Sequence, residues 1–220
     1  MSDEERSADP PAVVPPVMPW GSEFAFGESP FRVKGVLYQG TQTYFEREHG
    51  GLDALLEVID DAPLRAFIAQ RFLSTKLYDV MPVPALIAYE AIATGMSLRA
   101  YLDARTRWQL ERDVRGVYRM LLSLASPEAV VQRLPKVLVQ MFAFPQVAVE
   151  RPEPRVREAS FLHVPAPLEP WLAVSFPIYI EHAMRLSGAK DVRVERLSPR
   201  PEGRSAGLRQ LTLRLRVAWD

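Results

Sequence analysis

Residues 31–59, "FRVKGVLYQGTQTYFEREHGGLDALLEVI", compress an alternating apolar run, a helix, a His-Gly-Gly stop and a second helix into one stretch. Phe31, Val33, Gly35 and Leu37 alternate with Arg32, Lys34, Val36 and Tyr38, the period of a half-buried strand. Within that period Gly35 marks a bulge or the close approach of another backbone. Residues 41–48 then read as a short helix closed by Gly50-Gly51. Leu52, Leu55, Leu56 and Ile59 supply the i, i+3, i+4, i+7 stripe of the next one, which Asp60-Asp61 ends.

Working outward, a third helix is expected over 63–72. "STKLYDVMPVP" (74–84) follows as an extended crossing segment, because the residue before each of Pro82 and Pro84 is pushed out of the helical region. Pro84 opens a helix to about residue 94 that is apolar nearly all round and therefore buried. Residues 97–123 continue as one long helix or two, with a stripe from Leu110 through Val114, Val117, Tyr118, Leu121 and Leu122 that slips near Arg105 to Trp108, where a break or kink is expected. Ser126-Pro127-Glu128 starts another helix, a capping hydroxyl followed by a first-turn proline and an acid at the positive end of the dipole.

Beyond residue 142 the pattern changes. "QVAVE" (146–150) and "REASFLHV" (157–164) read as a strand pair, 168–187 as a helix, and "DVRVERL" and "LRQLTLRLRVAW" as two more strands joined by the turn-rich "SPRPEGRSAG". Pro177 should kink or split that helix. The order argues an α+β fold, a block of helices packed on a mostly antiparallel four- to five-stranded sheet, with the opening run as its first strand.

Composition narrows the functions. With 220 residues and 48% hydrophobic content the chain can bury a sizeable core. Basic and acidic residues balance at 27 each, so bulk charge selects neither nucleic acid nor anionic lipid. The absence of cysteine excludes disulfides, thiolate metal sites and thiol nucleophiles. Residues 1–30 hold six acids, one base and a run of prolines, the composition of a disordered tail, with a single domain over 31–220. Neither a signal peptide nor a membrane span is visible, and the reading is a soluble cytoplasmic protein.

Five pieces carry a family resemblance: "FRVKGVLYQG" near the start, "LYDVMPV" at the crossing, "SPEAVVQRLPK", "GAKDVRV", and the closing "LRLRVAW". In that order they resemble a family of roughly 200-residue proteins of unknown function expanded as paralogues in myxobacteria. The layout is similar to that of haem NO-binding domains, vinyl-reductase-type ligand-binding domains and Bet3-type tethering subunits. The resemblance implies an apolar ligand pocket at the edge of the helical block. The chain departs from the family pattern in separating Tyr78 from Pro82 and in placing Phe176 and Pro177 where glycines are usual.

A haem-binding member would need an axial histidine in the helical block and a Tyr-x-Ser-x-Arg clamp, and the sequence has neither. His49 precedes Gly-Gly and reads as a helix stop whose cationic ring meets the last carbonyls. His163 and His182 read as structural or surface residues. No nucleophile elbow, phosphate loop, dinucleotide fingerprint or HExxH occurs. Asp60-Asp61 reads as capping in a turn, and Arg105, Arg107, Arg112 and Arg115 with Trp108 as a solvated helix face.

What remains is apolar surface. Phe67, Phe72, Tyr78, Met81, Met96, Met141 and Phe142, with Leu77 and Phe144, gather at the edges of the helical block, where they are either plain core or the candidate ligand-binding set. The expectation is a non-enzymatic regulatory or sensory domain for a small apolar ligand, with no catalytic residue, no cofactor, no haem and no metal. The alternative is a protein-interaction or scaffold protein with a filled core, as a homodimer or with a protein partner.

Overall fold

The computed structural model describes residues 24–115 and 126–220, so most of the proline-rich tail and the stripe positions Val117, Tyr118, Leu121 and Leu122 lie outside it. Strand β1 (Arg32–Lys34) leads into helices α1 (Val36–Glu48), α2 (Leu52–Val58) and α3 (Ala62–Ala69), and strand β2 (Leu77–Asp79) crosses back to pair with β1. Helices α4 (Val83–Ala93), α5 (Leu98–Arg115) and α6 (Pro127–Val139) complete the helical block. Strands β3 (Gln146–Glu150) and β4 (Val156–Pro165), helix α7 (Glu169–Leu186), and strands β5 (Arg193–Ser205) and β6 (Leu208–Ala218) finish the chain. Among the described residues this is an α+β fold of seven helices, a four-stranded antiparallel sheet ordered β3-β4-β6-β5, and a separate two-stranded sheet.

The opening run is therefore corrected in two ways. Its strand ends at Lys34, and it belongs to the small sheet rather than to the main one. Gly35 is helical (φ −61°, ψ −16°) and heads α1. A Cβ there would lie 2.6 Å from Tyr78 Cε2 and closer still to the Leu73 carbonyl oxygen, so close approach is the reason for the glycine and no bulge is involved. The amides of Gly35 and Val36 donate to the carbonyls of Lys76 (2.8 Å) and Ser74 (3.0 Å), which occupies helix-start donors that have no partner inside α1.

Three further expectations change. α5 runs unbroken through Arg105–Trp108, because the polar residues that interrupt its stripe are themselves packed: Arg105 lies over the rings of Tyr44 and Trp108. α7 runs through Pro177 as one helix, so of the kink or split expected there the split does not occur. The residues 198–205 read as a turn extend β5, whose prolines are tolerated because β5 is an edge strand with register shifts at Leu197/Arg200 and Pro201/Gly203.

Asp79 ties the small sheet together. Its carboxylate accepts from the amides of Gly27 (3.0 Å), Ser29 (3.1 Å) and Met81 (2.9 Å) and from the Ser29 hydroxyl, while its carbonyl accepts from Tyr38 Oη. Phe24 and Phe26 also pack against the core, so the packed part of the chain begins before Phe31. On its other side β1 meets the end of α6: Lys34 N–H donates to the Met141 carbonyl (2.8 Å) and Ala143 N–H to that of Arg32 (2.9 Å). One continuous core runs from the helical block to the large sheet, where Phe176 of α7 packs on Phe161 with ring centroids 4.6 Å apart. No helix among the described residues is long and apolar enough to cross a membrane.

Candidate functional site

A cavity of about 230 Å³ opens between α1, α4, α5, α7 and the end of α6 with the segment that follows it. Its wall is mainly apolar: Leu37 from α1, Leu86 and Ile87 from α4, Leu102 from α5, and Trp171 and Phe176 from α7. α4 presents side chains both to the cavity and to the core because it is apolar on every face, with one exception. That exception is Glu90, 1% exposed and set in the cavity wall.

Seven more polar side chains share the wall: Thr41, Tyr101, Arg105, Thr106, Gln109, Ser175 and Tyr179. Glu90 Oε1, Tyr101 Oη and Ser175 Oγ are buried without a hydrogen-bond partner of ordinary geometry. Burial pushes the Glu90 carboxyl above its ordinary value, and the Arg105 charge and the nearby hydroxyls of Tyr101 and Thr41 only partly oppose this. Burial also raises the Tyr101 phenol, reinforced by the negative charge of Glu90. The Arg105 guanidinium donates to Gln109 Oε1 (3.1 Å) and lies 5.3 Å from the Tyr44 ring centroid and 5.1 Å from that of Trp108. Gly40 makes room for it, since a Cβ there would sit 2.6 Å from Arg105 Nη2.

Of the seven residues proposed from sequence, Met141 and Phe142 line this cavity. Phe67, Phe72 and Tyr78 instead pack with Tyr38 in an aromatic cluster, Tyr38 stacked on Phe72 at 4.5 Å and Phe72 meeting Tyr78 edge-on at 4.8 Å. Met81 is buried in the core. Met96 is exposed beyond the end of α4, as is Leu77 on β2. The polar wall escaped sequence reasoning, although one carboxylate inside an otherwise apolar helix was a usable signal for Glu90. Tyr101, Arg105 and Ser175 lie in mixed patterns that offer no such contrast.

The histidines are elsewhere. His49 closes α1, its amide donating to the Phe45 carbonyl (3.1 Å) and its ring 4.8 Å from that of Tyr44. Burial lowers its pKa, against the expectation of a cationic ring at the helix end. His163 sits at a β4 bulge with φ +61°, its Nδ1 3.0 Å from Glu202. His182 Nε2 lies 3.7 Å from Asp103. Asp61 caps α3 by accepting from Leu64 N–H (2.9 Å), and Asp60 accepts from Tyr89 Oη, so that carboxylate pair has plain structural work. No group of three or more His, Cys, Asp or Glu among the described residues could hold a metal ion.

Solved structures share this architecture. An oxygen-binding H-NOX domain related to soluble guanylate cyclases superposes with a TM-score of 0.61 over 85% of this chain and 95% of its own, at 13% identity. A Cs H-NOX mutant carrying 4-cyano-L-phenylalanine gives 0.60 over 85% and 96% at 13% identity. An H-NOX structure solved to explain H-NOX activation gives 0.59 over 86% and 96% at 12%. The fold is that of the H-NOX domains. At such identity the likeness establishes the H-NOX fold alone. No protein-family model and no curated protein matches the sequence, so the myxobacterial family stays a resemblance carried by its motifs.

Haem is the group this fold brings into question. None of the three histidines lines the cavity, and the Tyr-x-Ser-x-Arg clamp does not occur in the chain. The donor set around the cavity does not fit a histidine-ligated haem.

Proposed function

We propose that the chain is a non-enzymatic sensory domain that binds a small, largely apolar molecule between α1, α4, α5 and α7, using neither haem nor metal. The observation that carries this reading is the cavity itself, apolar on most of its wall and about 230 Å³ in volume. Cavities of about 150 Å³ lined by aliphatic and aromatic side chains already admit benzene. The H-NOX fold supports a ligand-binding role in general terms. The position of Met141 and Phe142 supports a regulatory one, since the backbone that carries them is bonded to β1 and a ligand that displaces it would move that strand.

Native mass spectrometry of the purified chain tests this, before and after incubation with a panel of monocyclic and short-chain apolar compounds. One bound equivalent, accompanied by a rise in melting temperature, is expected. Bare mass throughout, with no thermal shift, would overturn the reading in favour of a scaffold. Protein produced with haem supplied should be colourless, and a stoichiometric Soret band would overturn the haem-free part.

A further inference from the structure

The cavity is not uniformly greasy, and its polar atoms bear on what it takes. Glu90 is 1% exposed and Tyr101 0%, both line the cavity, and although the Tyr101 and Thr41 hydroxyls interact with the Glu90 carboxyl, Glu90 Oε1 and Tyr101 Oη make no hydrogen bond of ordinary geometry. A purely apolar occupant would seal these groups in a dry site with nothing new to bond to, which is unfavourable. An anionic headgroup would meet the Glu90 carboxyl. A cationic one would meet Arg105, whose guanidinium already bonds Gln109 and lies over two rings.

We propose that the ligand is a neutral alcohol, its apolar body against Leu86, Leu102 and Phe176 and its hydroxyl donating to Glu90 while accepting from Tyr101. The inference rests on the ligand-binding reading above and adds the chemical class. A hydroxyl is the smallest neutral group that both donates and accepts, matching a carboxylate that accepts and a phenol that can donate. Ser175, on the α7 wall, offers a third partner for a second oxygen. The volume suits one ring with a short arm.

Calorimetric titration of the full chain with 2-phenylethanol, ethylbenzene and phenylacetate at neutral pH tests this. The alcohol is expected to bind about tenfold tighter than ethylbenzene, the equivalent of one or two net hydrogen bonds, and phenylacetate more weakly than the alcohol. In Glu90→Met and Tyr101→Phe proteins the preference for the alcohol over ethylbenzene should shrink to about twofold or less. Circular dichroism checks that the variants fold, and the wild-type series decides the matter if they do not. Equal binding of alcohol and ethylbenzene would overturn the alcohol assignment, with water satisfying the polar wall, and leave the ligand-binding reading standing. Tightest binding of phenylacetate would overturn it in favour of an anion. Absence of binding by all three would overturn both readings.

Discussion

Glu90 and Gly35 show what single residues contribute. Because burial raises the Glu90 pKa above its ordinary value of 4.5, the folded protein keeps that proton to higher pH than the unfolded chain does. Its stabilising contribution is therefore full below the ordinary value and is lost as pH rises through the raised one. Glu90→Gln, uncharged throughout, should gain in melting temperature over wild type as pH is raised from about 4 to about 8, with the gap closing in acid. A pH-independent gap would show that ionisation of Glu90 is not what matters. Gly35→Ala has the opposite character. The new methyl meets a backbone carbonyl and the buried Tyr78 ring, neither of which can swing away, so a loss of about 2–3 kcal/mol is expected in urea unfolding. Sequence alone marks Gly35 as a place of close backbone approach or of a bulge in a strand, and the structure bears out the approach but sets it at a helix start. It does not say what approaches, because Leu73 and Tyr78 come from the far side of a helical excursion.

At the scale of elements, legibility follows locality. Helix ends with their own chemistry, the Asp61 cap of α3 and the Ser126 cap of α6, stand where the capping pattern places them. Periodicity misplaces the boundary between β1 and α1 because eight residues of period two look the same as a short strand followed by a helix's first turn, and only tertiary contact at Gly35 resolves them. The extent of β5 is hidden for a related reason: its prolines and glycine spell a turn locally, and become strand only once β6 supplies a partner. Asp61→Ala tests the local logic. Loss of the acceptor for the Leu64 amide should lower stability by about 1 kcal/mol, seen as a shift in the urea midpoint with unchanged slope. A changed slope would place the effect in the unfolded or native ensemble as a whole instead.

For the whole molecule, the order of strand, helical block, strand pair, long helix and strand pair is readable from the chain, and it is the order that superposes on the H-NOX fold. The site is only half readable. Aromatic and methionine content announces apolar surface, yet the cavity is set by where α1, α4, α5 and α7 converge, and composition cannot say which of two aromatic groups lines it. Filling that space should separate stability from binding. Ser175→Leu replaces a partnerless buried hydroxyl by apolar volume, and about 1 kcal/mol of added stability in the ligand-free protein is expected. The same variant should lose the thermal shift with 2-phenylethanol. A variant that still responds to the alcohol would place the binding region elsewhere.

The join between β1 and the residues after α6 runs through main-chain atoms, Lys34 to Met141 and Ala143 to Arg32. Peptide groups are common to all twenty amino acids, apart from proline's missing donor, so this join does not depend on which side chains the two segments carry. Met141 and Phe142 can therefore be substituted, reshaping the cavity wall, while the wiring to the first strand persists.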